Sequence, residues 1–117
     1  MSKKPETLFK EKVLPQIRAL PNSWWVKTQM ICIRGIPDIL GCVNGQFVAI
    51  ELKSDDKSAK LSPLQGYILR NITKAGGLAL EVTPELWQST YQVLKQIACG
   101  KAAYRPGPRP KLEDLNS

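Results

Sequence analysis

The sequence predicts a single α/β domain built on one mixed sheet, and three observations carry that prediction. Stretches of helical period alternate with short apolar runs of strand length. An Asn-Gly pair joins two of those runs, the preferred two-residue connection of a tight hairpin. Pro and Gly punctuate the remaining boundaries in the places where helices start and stop. Together they predict the order α-β-β-β-α-β-α.

Residues 5–20 read as the first helix. Pro5 suits its first turn, and Phe9, Val13, Ile17 and Leu20 recur at helical spacing. Pro15 lacks a backbone N–H and is expected to kink or split it. Pro21-Asn-Ser23 then breaks it, and residues 24–28 read as a strand. The stretch 29–35 is ambiguous: Met30, Ile31 and Ile33 are strand-like, whereas Arg34-Gly35 is turn-like. Two apolar runs, Asp38–Val43 and Gln46–Lys53, flank Asn44-Gly45. Both faces of this hairpin are apolar, which places it centrally with cover on both sides. Residues 54–61 form a polar loop. Ser62-Pro-Leu-Gln65 starts a helix, with Ser62 as N-cap and Gln65 three residues on, and Gly76-Gly77 ends it. Leu78–Val82 is a short strand. Thr83-Pro-Glu85 opens a last helix carrying Trp87, Tyr91, Leu94 and Ile97 and ending at Gly100. The domain is therefore expected over residues 1–100, with residues 101–117 as a basic, Pro-rich flexible tail.

Composition narrows the chemistry. The 117 residues include 17 Lys and Arg against 10 Asp and Glu, a net charge of +7. That balance favours an anionic polymer or surface as partner. There is no histidine. This excludes Ser-His-Asp and Cys-His nucleophile systems, a histidine general base and His-ligated zinc or haem. Hydrolysis would then fall to carboxylates, lysine, hydroxyls or a carboxylate-bound hard cation. Cys32, Cys42 and Cys99 are odd in number and widely spaced, which argues for reduced, mostly buried thiols. No apolar run approaches a membrane span, so a cytoplasmic protein is expected.

The hairpin supplies the candidate site. With Asn44 and Gly45 as its loop, Val43 faces Gln46, Leu40 faces Ala49 and Asp38 faces Glu51. The two-residue period places Lys53 on the face of Glu51, and Ile50 and Leu52 on the other with Ile39. Opposed carboxylates beside a core are costly. A shared proton, a basic partner such as Lys53, or a divalent cation such as Mg²⁺ would relieve them. The plain alternative is that Asp38 begins a strand in a turn and that Glu51 and Lys53 are its solvated far end.

Pro37-Asp38 followed by Glu51-Leu52-Lys53 resembles the motif of the PD-(D/E)XK nucleases. The longer strings Arg34-Gly-Ile-Pro-Asp-Ile-Leu-Gly41 and Asn44-Gly-Gln-Phe-Val-Ala-Ile-Glu-Leu-Lys53 resemble the VRR-NUC branch, small stand-alone phage-type members above all. The resemblance implies a restriction-endonuclease-like core and a structure-specific endodeoxyribonuclease, dependent on Mg²⁺ or Mn²⁺. It would act on Holliday or other branched junctions as a homodimer. It implies Asp38, Glu51 and the main-chain carbonyl of Leu52 as metal ligands, and Lys53 as the catalytic lysine. Glu6, on the core-facing side of the first helix, matches the family's additional acid; complementing the helix dipole is its simpler role. Gln65 matches a glutamine near the active site and can at the same time close the capping box.

Arg34, Lys27, Lys57 and Lys60 lie before or after the site in sequence and are candidate DNA-phosphate contacts; charge runs are more often simply solvated. The tail residues Lys101, Arg105, Arg109 and Lys111 would add affinity independent of base sequence. Trp24, Trp25 and Trp87 read as core or interface residues. A non-catalytic junction-binding module with the same fold is the alternative, and the residues themselves do not select DNA over RNA.

Overall fold

The computed structural model describes residues 5–53 and 61–100, with side chains from Leu8 onward in the first helix. Lys57, Lys60, the side chain of Glu6, most of the polar loop and the 101–117 tail lie outside the described residues. The elements are α1 (Pro5–Arg18), β1 (Ser23–Lys27), β2 (Ile39–Val43), β3 (Gln46–Leu52), α2 (Pro63–Lys74), β4 (Leu78–Val82), a one-turn 3-10 segment (Pro84–Leu86) and α3 (Trp87–Ala98). The predicted order holds. The sheet runs β1-β2-β3-β4, antiparallel for its first two pairings and parallel for β3 with β4. It is therefore a mixed sheet. Among the described residues no helix is long and apolar enough to cross a membrane.

The hairpin register is the predicted one. Val43 pairs with Gln46 and Leu40 with Ala49. Asn44 and Gly45 both have positive φ, 48° and 86°, as a two-residue turn matched to the twist of its strands requires. The Asn44 side chain donates to the Ile97 carbonyl at 3.0 Å, and that of Asn22 to the Ala98 carbonyl at 3.0 Å. These bonds fix the C-terminal end of α3 at the hairpin tip through carbonyls of its last turn, that of Ile97 also accepting from the Gly100 N–H.

One face of the sheet carries the core. Trp25, Ile39, Val43, Val48, Ile50, Leu52 and Val82 pack under Phe9, Val13 and Ile17 of α1 and Trp87, Leu94 and Ile97 of α3. The Trp87 indole N–H donates to Gln16 at 2.8 Å and ties these two helices together. On the opposite face α2 lies over the β3–β4 half. A Cβ added at Gly77 would press on Ile72 of α2 and on Phe47, and one at Gly35 on Leu64 and Ile68.

Three expectations need correction. Pro15 neither ends nor splits α1, which runs unbroken to Arg18. Its ring faces solvent while Val13, Leu14 and Ile17 are held in the core, so packing outweighs the lost hydrogen bond. The hairpin is central but covered fully on one side only, because α2 leaves Cys42 and Phe47 exposed. Cys32, Cys42 and Cys99 are all exposed, on a connection, the uncovered sheet face and a helix end respectively. Of the three tryptophans read as core or interface residues, Trp25 and Trp87 are buried in the core and Trp24 is 68% exposed. The ambiguous stretch after β1 forms turns rather than a strand.

Candidate active site

The site sits where β2 begins and β3 ends. The connection from β1 is held by Thr28, which is buried: its hydroxyl donates to the Pro37 carbonyl at 2.5 Å, and its N–H to the Asp38 carbonyl at 3.0 Å. These two bonds set the entry of Asp38 into the sheet. The regular β2–β3 ladder starts one residue later, with Ile39 opposite Ile50. Freed from the ladder, the Asp38 carboxylate turns along the sheet. Its Oδ2 accepts from the Leu52 N–H at 2.8 Å, and its Oδ1 from the Lys10 ammonium at 3.2 Å.

Glu51 is almost fully enclosed, at 3% exposure. Burial, followed by the nearby Asp38 carboxyl, pushes its pKa from an ordinary 4.5 up to about 8, with Lys53 partly opposing the rise. Burial disfavours the charged form of any acid, and a second carboxylate adds repulsion. The expected acid pair is thus formed, and it carries the cost that opposed carboxylates should carry.

Gln65 joins the pair to the lysine. The α2 N-terminus is a closed capping box: Ser62 Oγ accepts from the Gln65 N–H at 3.1 Å, and Gln65 Oε1 accepts from the Ser62 N–H at 2.9 Å. From this position Gln65 Nε2 donates to Glu51 Oε2 at 2.5 Å. The Lys53 ammonium stands 3.5 Å from Gln65 Oε1, the long limit of a hydrogen bond. Both roles foreseen for Gln65, helix cap and neighbour of the acids, are present in one side chain.

The structure therefore brings Asp38, Glu51, Lys53 and Gln65 together at one end of the hairpin. Glu6 lies in the first turn of α1, its side chain outside the described residues. Arg34 is exposed on the connection before Asp38, and Lys27 is exposed at the end of β1. Lys10 was not foreseen: it follows Glu6 by one helical turn, but its contact with Asp38 spans 28 residues and depends on how α1 lies across the sheet. Glu81 was not foreseen either. It pairs with Glu51 across the parallel β3–β4 ladder and is exposed, and a parallel register has no short turn to announce it. Among the described residues no group of three or more acids and thiols converges as a ready-made metal cage.

Chemically the arrangement offers two adjacent carboxyl groups, an ammonium and an amide that orients both. Comparison of the chain with protein-family models, with curated proteins and with solved structures returned no match.

Proposed function

We propose that this chain is a metal-dependent endonuclease with a restriction-endonuclease-like core, hydrolysing DNA phosphodiester bonds at branched junctions. The observation that carries this proposal is the enclosed Glu51 beside Asp38, linked through Gln65 to Lys53. A fold gains nothing in stability from two acids at that place. A hard cation with oxygen ligands would remove the repulsion, and it matches the donor set present. Asp38, Glu51 and the main-chain carbonyl of Leu52 would hold Mg²⁺ or Mn²⁺, with Glu6 as the further acid from α1. Such an ion would supply Lewis-acid polarisation of the phosphate and charge neutralisation.

The remaining work falls to the chain's own groups. Gln65 Nε2 fixes the Glu51 carboxyl, and Gln65 Oε1 keeps the Lys53 ammonium on the same side. Lys53 would orient the attacking water and offset the charge that builds on the phosphate oxygens as the P–O ester bond breaks. Arg34 and Lys27, both exposed near this end of the sheet, would meet neighbouring phosphates.

A homodimer with two such sites suits a junction with two strands to cut. The row Trp24–Cys42–Phe47 supports it: these three residues are cross-strand neighbours on the uncovered face, and all are exposed. An edge strand bearing an exposed tryptophan is a natural contact surface.

Incubation of the protein with labelled four-way junction, flap and linear duplex in Mg²⁺ or Mn²⁺ tests the proposal. Cleavage of branched DNA that disappears in Asp38→Ala is the expected result. Absence of metal-dependent cleavage on every substrate sinks it. The Lys10–Asp38 ion pair, which already satisfies one Asp38 oxygen, is the observation that favours a non-catalytic junction-binding module instead. Thermal unfolding separates the two. Mg²⁺ stabilises wild type but not Asp38→Ala if the site loads metal, and neither if the module only binds DNA.

A further inference from the structure

Beside Asp38, on the α1 side, lies a small recess, part of it open to solvent. Its lining comes from four separate segments. Lys10 and Leu14 belong to α1, Lys27 and Gln29 to β1 and the residues after it, Asp38 and Ile39 to the start of β2, and Leu52 to the end of β3. Leu14, Ile39 and Leu52 are buried. Lys10, Lys27 and Gln29 contribute to a mainly apolar lining, in which Asp38 is the one carboxylate among the described residues and is already engaged by Lys10 and the Leu52 N–H. Lys27 forms no ion pair among the described residues. Among the described residues the lining therefore has two lysines to one carboxylate, and it adjoins the acid pair through Asp38.

We propose that this recess is a second phosphate seat, which takes a backbone phosphodiester next to the scissile one. Lys27 is its principal cation, Gln29 a hydrogen-bond donor, and Lys10 a cation shared with Asp38. This rests on the nuclease reading and deepens it. An anion is the class of ligand that two lysines and an amide recognise, and a backbone phosphate is the compact anionic group that nucleic acid offers at such an open recess. The seat would position the strand, and its contribution is electrostatic and independent of base sequence.

The test is a double-perturbation cycle read by salt dependence. Affinity for a four-way junction is measured in EDTA over a range of salt, with wild type, Lys27→Met and Lys27→Arg. The junctions carry either all phosphates or one neutral methylphosphonate, placed at successive positions. Each phosphate contact adds about 0.9 to the magnitude of the slope of log affinity against log salt. Lys27→Met should lower the slope by about one such contact, and Lys27→Arg should keep it. One methylphosphonate position should lower the wild-type slope equally and have no further effect in Lys27→Met. A slope unchanged in Lys27→Met, a loss in Lys27→Arg, or losses that add at every position would overturn the seat while leaving the nuclease reading intact. No salt-dependent junction binding by wild type would overturn both. Lys27 is exposed at a strand end, so the variants are expected to fold, and circular dichroism checks this.

Discussion

Replacing Glu51 by glutamine should make the metal-free protein more stable above neutral pH. In the folded chain burial and Asp38 push the Glu51 pKa to about 8, against 4.5 when it is unburdened. The folded state therefore holds a proton that the unfolded state releases across this interval. The sign follows from linkage. The stabilising contribution is fully present below 4.5 and is lost as pH rises through about 8. A shift of this size corresponds to roughly 3–5 kcal/mol, a large share of the stability of a domain this small. Glu51→Gln keeps an oxygen to accept from Gln65 Nε2 and removes the titration. The assay is urea unfolding in EDTA at intervals from pH 5 to pH 9, for wild type and variant. Wild type should lose several kcal/mol relative to Glu51→Gln over this range, and millimolar Mg²⁺ at pH 8 should restore much of it to wild type alone. Parallel pH profiles for the two proteins would refute the reasoning, because the acid would then be ionising without penalty.

Other perturbations have definite outcomes. Gly41→Ala would place a Cβ against the Trp25 ring and 2.5 Å from the Trp24 carbonyl, so chemical unfolding should show a loss of about 3 kcal/mol. Gln65→Ala removes the cap to Ser62 together with the bonds to Glu51 and Lys53, and should cost about 1 kcal/mol in stability by urea titration. The same variant should weaken Mg²⁺ binding about 10–100-fold by calorimetry, since a side chain that orients a ligand commonly has that effect. Trp24→Glu combined with Phe47→Glu places charges on the uncovered sheet face. Light scattering should show a dimer for wild type and a monomer for the variant, and a monomeric wild type would remove the dimer from the proposal.

Much of the site was legible in the sequence because it rests on local rules. Asn44-Gly45 specifies a two-residue turn, the turn specifies the register, and the register brings Asp38 within reach of Glu51 and Leu52. Ser62-Pro-Leu-Gln65 specifies a capping box, and that places the Gln65 amide where it meets the acids. What escaped depends on packing between distant segments. Lys10 reaches Asp38 across 28 residues of sequence, through the packing of α1 against the sheet. Thr28 looks like an ordinary strand residue, yet it anchors Pro37 and Asp38 through bonds that no periodicity reveals. The exposure of Cys42 was missed for a related reason. An apolar strand pattern shows that a face can be buried, but not whether α2 extends far enough to bury it. Pro15 obeys its local rule in lacking a donor and disobeys it in outcome, since three buried neighbours hold the helix together.

Lys53 offers the most direct measurement of the central claim, that this cluster hydrolyses phosphodiesters. The measurement is the single-turnover rate of four-way junction cleavage in Mg²⁺, for wild type and Lys53→Met, with junction affinity recorded in parallel. The account predicts cleavage by wild type and a rate at least about 100-fold lower for Lys53→Met at similar affinity. No cleavage by wild type, or equal rates for the two proteins, would contradict it.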